Sequence, residues 1–140
     1  MPVHSLIPHL HFAGDAARAI ELYERALGAK TLSRMTWADM PGGSPPPGAA
    51  DKIMHAALEI GSARILLADR VEASPEVPAS NGTVMIEFDD PKEMEAPFAA
   101  LGEGGKVTMA LHDAFWGARF GMVTDALGVA WMFHCALEKC

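Results

Sequence analysis

Residues 4–12, HSLIPHLHF, followed by residues 14–30, GDAARAIELYERALGAK, read as a short apolar strand feeding an amphipathic helix. Ala16, Ala19, Ile20, Tyr23 and Leu27 recur at helical spacing and form one apolar stripe. Arg18, Glu21, Glu24 and Arg25 fill the opposite face, where Glu21 and Arg25 make a favourable i,i+4 pair. Asp15 stands at the N-cap position, and Gly28 stops the helix where a left-handed residue is needed.

The same order returns farther on. GTVMIEF (82–88) reads as a strand, and DDPKEMEAPFAALGEGGK (89–106) as a helix that begins after Asp90. Pro91 suits the first helical position and Glu93 the acid of a capping box. Met94, Phe98 and Leu101 form its buried stripe. Pro97 lies inside that stripe without an N–H to donate, which predicts a kink or a broken first turn. Tyr23 and Phe98 hold matching places about 75 residues apart, roughly half the chain, which marks an internal duplication. The remaining periodicity places strands near 5–12, 30–37, 51–60, 63–69, 82–88, 105–112, 118–124 and 128–136. Two hairpins stand out, one with Gly61-Ser62 at its tip and one turning near Asp125-Ala126-Leu127-Gly128.

The whole is expected to be one domain over 1–140: a first module over about 1–70, a linker over about 71–82 and a second module over about 82–140. PGGSPPPGAA (41–50) cannot be regular structure, and reads as a mobile lid or a plain insertion. A chain of 140 residues supports one good core, and neither module can cover both faces of a sheet alone. The net charge of −7 argues against nucleic acid, whose phosphates would go unneutralised. No apolar run approaches the ~20 residues of a membrane span, and the N-terminus does not read as a secretory signal, so a cytoplasmic location is expected. Cys135 and Cys140 do not have zinc-type spacing, and read as reduced thiols or as a disulfide across a terminal loop. Of nine methionines, Met85, Met109, Met122 and Met132 fall on strands, where they fill a core or line an adaptable pocket.

Three segments carry a resemblance: IPHLHFAGDAARAIELYERALGAK (7–30), DKIMHAALEIGSARILLAD (51–69) and HDAFWGARFGMVTDALGVAWMF (112–133). In order and spacing the chain resembles the vicinal oxygen chelate superfamily of glyoxalase I, bleomycin-resistance proteins, fosfomycin-resistance enzymes and extradiol dioxygenases. FWGARFGMVTDALGVAW (115–131) is its most specific part, and looks like the PhnB-like branch. The resemblance implies an α+β fold of tandem βαβββ modules, forming an open, eight-stranded, barrel-like sheet with helices outside and a pocket inside. It also implies a homodimer and a small-molecule ligand. A methyltransferase label attached to some members of the branch is not expected to apply, since no Gly-rich loop joins a strand to a helix.

Metal-dependent members bind a divalent ion with His and Glu from the first and last strands of each module. Transferred by position, those ligands fall on Met132 and on Ile7 or Pro8, so the usual site reads as degenerate and no metal ligand is assigned. The cofactor stays open, because His9, His11, His55, Asp69, Glu87 and His134 could bring three donors to an ion at about 2.0–2.2 Å.

His9 and His11 alternate on one strand and share a face, making them the candidate acid–base pair or pocket-wall groups. Pro8, Leu10 and Phe12 take the face expected to pack under the helix. Further candidate pocket residues are His55, Asp69, Glu87, Trp116, Arg119, Met132 and His134. Asp69 serves either as a catalyst with raised pKa or as the cap of the turn beside Arg70. Trp116 and Arg119 could floor a pocket and hold an anion, anchor a loop or join a dimer contact. The leading expectation is a small-molecule-binding protein of unknown reaction. Acid–base or metal-assisted chemistry of the superfamily would follow if it is an enzyme. The alternatives are sequestration of a toxin or antibiotic without turnover, and a structural dimer whose pocket its own side chains fill.

Overall fold

The structure is a computed structural model that describes residues 5–39, 48–70 and 82–137. Residues 41–47 of the Pro/Gly loop, residues 71–81 of the expected linker and Cys140 lie outside the described residues. The chain divides into two compact units, Met1–Ala79 and Ser80–Cys140.

The N-terminal unit runs β1 (His9–Phe12), α1 (Ala16–Leu27), β2 (Lys30–Thr36), β3 (Ile53–Ile60) and β4 (Ala63–Asp69). Its sheet has the order β1-β4-β3-β2, with β1 parallel to β4 and the other pairs antiparallel. The C-terminal unit repeats this with β5 (Val84–Glu87), α2 (Glu95–Gly102), β6 (Lys106–Ala114), β7 (Ala118–Thr124) and β8 (Ala130–Ala136). Its sheet order is β5-β8-β7-β6, again with one parallel pair, β5 with β8. The duplication read from Tyr23 and Phe98 is therefore a repeat of topology, and both residues are buried. The eight strands form two four-stranded sheets within an α+β fold of two βαβββ units. No described helix is long and apolar enough to cross a membrane.

In α1 the stripe Ala16, Ala19, Ile20 and Tyr23 is fully buried and is joined by Leu22, while Leu27 is only half-buried near the helix end. Burying side chains the size of Ile20 and Tyr23 contributes about 1.5–3 kcal/mol each. Gly28 takes φ 68°, and Ala29 N–H then donates to the Tyr23 carbonyl at 3.2 Å, satisfying a terminal acceptor. At the other end the expectation is corrected. Asp15 occupies the N-cap position, but its side chain makes no cap bond and pairs with Arg18 at 3.5 Å. The capping oxygen comes instead from Asp69, 53 residues onward, which accepts from Ala16 N–H at 2.9 Å.

The second helix breaks where its proline predicts. A single 3-10 turn over Pro91–Glu93 is capped by Asp90, which accepts from Lys92 N–H at 2.9 Å. The chain then restarts as α2 at Glu95, which puts Pro97 in a first turn, where a missing N–H costs nothing. Met94, Phe98 and Leu101 are buried as expected. β1 is shorter than read: Pro8 stays outside it and is exposed, Leu10 is half-buried and Phe12 is buried.

Gly121, in β7, has no room for a side chain beneath Phe98 of α2 and beside Leu111 of β6. A Cβ there would lie 2.8 Å from Leu111 Cδ2 and 3.0 Å from the Phe98 ring. Gly121→Ala is expected to destabilise the C-terminal unit by about 1–3 kcal/mol through overpacking, read as a lowered urea midpoint with unchanged slope.

Candidate functional site

Each sheet has one face under its helix and one face turned away, and strand alternation decides which residues share the second face. In the N-terminal unit β1 pairs in parallel with β4, setting His11 beside Ala68 and Phe12 beside Asp69. Ala56 pairs with Leu67, and both are buried, so His55 falls on the opposite face together with Ala68, His9 and His11. The His9 and His11 rings stack with centroids 4.5 Å apart and planes 26° off parallel. Both residues are exposed in the single chain. Partial burial, and then the neighbouring His11 and His55, hold the His9 imidazole below its ordinary pKa of 6.5, so the neutral ring is favoured.

Asp69 sits on the other face. It is 4% exposed and accepts from three backbone amides: Gly14 and Ala16 on Oδ1 and Ile53 on Oδ2, each at 2.9 Å. Its acceptor sites serve the backbone, and it does not join the histidines. Its structural reading was a cap for the turn beside Arg70; its oxygens instead serve the amides of Gly14, Ala16 and Ile53.

In the C-terminal unit Phe133 lies edge-on to Phe98 of α2 at 5.1 Å, which sets the covered face of β8 as Trp131, Phe133 and Cys135. Burial first, and then the carboxylates of Asp90, Asp89 and Glu87, push the Cys135 thiol up, so this free cysteine is a poor nucleophile. The opposite face carries Met132 and His134 of β8. Register adds Phe120 and Met122 of β7, and Met85 and Glu87 of β5. Glu87 and His134 are cross-strand partners, and Oε2 of one lies 2.6 Å from Nδ1 of the other, off the line of an aligned hydrogen bond. Phe120 meets His134 and His112 edge-on at 6.4 Å each, and Trp116 at 5.5 Å. Trp116 is 52% exposed and Met85 49%.

The candidate residues thus separate. Glu87, Trp116, Met132 and His134 lie together, with Phe120 and His112 as additions that the sequence reading missed. Phe120 was legible in principle, since it shares its alternation with Met122 on β7. Arg119 lies on the side of Cys135, its strand partner, and donates from Nε to Asp113 Oδ1 at 3.0 Å, so its charge is already engaged. Among the described residues no three His, Cys, Asp or Glu side chains come together to hold a metal ion. Met132 offers only a thioether and Ile7 and Pro8 no side-chain donor, so these residues do not fit a site for a hard divalent ion.

Comparison with known proteins agrees with this architecture. Residues 6–133 match the family described as the Glyoxalase/Bleomycin resistance protein/Dioxygenase superfamily. Protein YjdN of Escherichia coli is 33% identical, over 96% of this chain and 97% of its own. The crystal structure of PA1353 from Pseudomonas aeruginosa superposes with a TM-score of 0.85 at 36% identity, covering 96% of this chain and 98% of that one. A Bacillus cereus PhnB protein, described as a putative 3-demethylubiquinone-9 3-methyltransferase, has a TM-score of 0.79 at 19% identity, a likeness of fold alone; it covers 95% of this chain and 100% of that one.

Proposed function

We propose, because this chain belongs to the Glyoxalase/Bleomycin resistance protein/Dioxygenase superfamily, that it binds a small organic molecule on the uncovered sheet face of its C-terminal unit. The observation that carries this reading is the Glu87–His134 contact at 2.6 Å beside the aromatic group of Phe120 and Trp116. Rings and thioethers supply apolar contact, and the imidazole supplies one directional polar group, the usual division of labour in a small-molecule site. The exposure of Met85 and Trp116 favours a face awaiting a ligand over one filled by the protein itself.

Two modes of action share this geometry. Turnover would use His134 Nε2 as acid or base, with Glu87 fixing the ring. Sequestration would use the same contacts without a product, as the bleomycin-resistance name suggests for relatives. The reading includes a homodimer, supported by the apolar Val107, Met109 and Phe115 exposed on β6 and the turn after it.

The test is a panel of aromatic and oxygen-bearing compounds, bleomycin and fosfomycin included, titrated by tryptophan emission and calorimetry. His134→Ala is expected to weaken any saturable binder by about tenfold, the effect of losing one good polar contact. Compounds that bind the variant as tightly as the parent would remove this face from consideration. Chromatography for product then separates turnover from sequestration.

A further inference from the structure

We infer that the uncovered face of the C-terminal unit selects extended, flat aromatic molecules, and that a row of four methionines sets the length it accepts. The inference rests on the small-molecule reading of this face and names its class of ligand. Met85 pairs with Met132, Met132 with Met122, and Met122 with Met109. One thioether from each of β5, β8, β7 and β6 therefore stands in a row across the whole sheet. Neighbouring strands lie about 4.7–4.9 Å apart, so the row runs roughly 14 Å from Met85 to Met109. A second row lies beside it in the same register: Glu87, His134, Phe120 and His112. The two end methionines are open, Met85 at 49% and Met109 at 42% exposure, and Met122 and Met132 between them are half-buried.

Chemistry and charge decide what fits this strip. A thioether is apolar, polarisable and unbranched, and it makes favourable contacts with aromatic rings. A row of them offers a ring system apolar contact along its whole length, and the neighbouring row adds the Phe120 ring and a polar edge. A single ring held at the Glu87 end touches the methionines of β5 and β8, whereas a body of three fused rings extends toward Met122 and Met109. Neither row contains Lys or Arg, and the Glu87 side chain is 60% exposed. The row on the far side of the methionines, Ala130, Thr124 and Lys106, puts its cation at the β6 edge, diagonal to Glu87. A ligand with an amine at the Glu87 end meets an acceptor there, and one with a carboxylate meets like charge.

The experiment titrates the full chain by calorimetry with aniline, 2-aminonaphthalene and 2-aminoanthracene, which carry one amine on one, two and three fused rings. Affinity is expected to rise along the series. Met109→Gln is expected to weaken 2-aminoanthracene by about tenfold and to leave aniline unchanged, because only the longer body reaches β6. Met109→Leu keeps the strip apolar and should stay within about threefold of the parent. Anthracene-2-carboxylate is expected to bind about tenfold more weakly than the amine, and Glu87→Gln to narrow that gap. Equal losses for one ring and three in Met109→Gln, or no loss for either, overturn the inference. If His134→Ala still weakens all three amines in that case, the binding face stands and only the role of the methionine row falls. No saturable binding by any of the three overturns both; a shift from dimer to monomer in Met85→Gln and Met109→Gln would then assign the row to a second copy of the chain. Both positions are exposed, and circular dichroism with thermal melting confirms that the variants fold.

Discussion

Asp69→Ala is expected to cost about 3–5 kcal/mol, a large share of the roughly 5–15 kcal/mol that holds a domain of this size together. Its carboxylate is 4% exposed and binds three amides at 2.9 Å, from the turn before α1, the first residue of α1 and the first residue of β3. These bonds are charge-assisted, and one of them serves the positive end of a helix. Truncation leaves three amide donors, two of them buried, without that acceptor. Asp69→Asn should fall between parent and Ala. One amide oxygen can keep Gly14 and Ala16, but the NH₂ group then faces Ile53 N–H, donor against donor. Urea unfolding orders the three chains, and hydrogen exchange at Gly14, Ala16 and Ile53 should accelerate in both variants. An alanine variant within 1 kcal/mol of the parent would show that the three amides find other partners.

Asp69 also shows what the sequence could and could not disclose. It was read among the pocket candidates with His9 and His11, whereas strand alternation and the register of β1 against β4 put it on the covered face with Phe12. Which amides it would reach was not local: its helix partner lies 53 residues away, and only the parallel pairing of β1 with β4 brings them together. The same limit governed the C-terminal face. Glu87 and His134 were each visible as polar residues on strands, yet their contact depends on the register of β5 against β8, which neither segment encodes alone. Arg119 was read with Trp116 as holding an anion, anchoring a loop or joining a dimer contact, and the register of β6 against β7 places Asp113 opposite it. Helix boundaries were legible to within a turn because their signals are chemical and local: Gly28 at one end, Asp90 and Pro91 at another. The one capping error, Asp15, arose because a side chain from elsewhere had already satisfied the amide.

Asp125→Ala is expected to cost about 2–4 kcal/mol in the C-terminal unit. Asp125 is 2% exposed and closes the β7–β8 turn twice over, accepting from Leu127 N–H at 2.9 Å and Val129 N–H at 3.1 Å on Oδ1. Its second oxygen takes the indole N–H of Trp131 at 2.9 Å, in a position where Trp131 is 1% exposed. The carboxylate therefore couples the turn to the packing of the largest core side chain, and with it to the alternation that puts Met132 and His134 on the uncovered face. A double-mutant cycle with Trp131→Phe isolates the indole bond from the turn bonds. Trp131→Phe alone leaves Oδ2 without its indole donor, and Asp125→Ala alone leaves the indole without its acceptor; each is a buried polar group that has lost a partner. Together the two losses overlap, so the double variant should be less destabilised than the two single effects added, with a coupling of about 1–2 kcal/mol. Strict additivity would mean that the turn bonds alone carry the effect, and that Trp131 is held by packing rather than by its N–H.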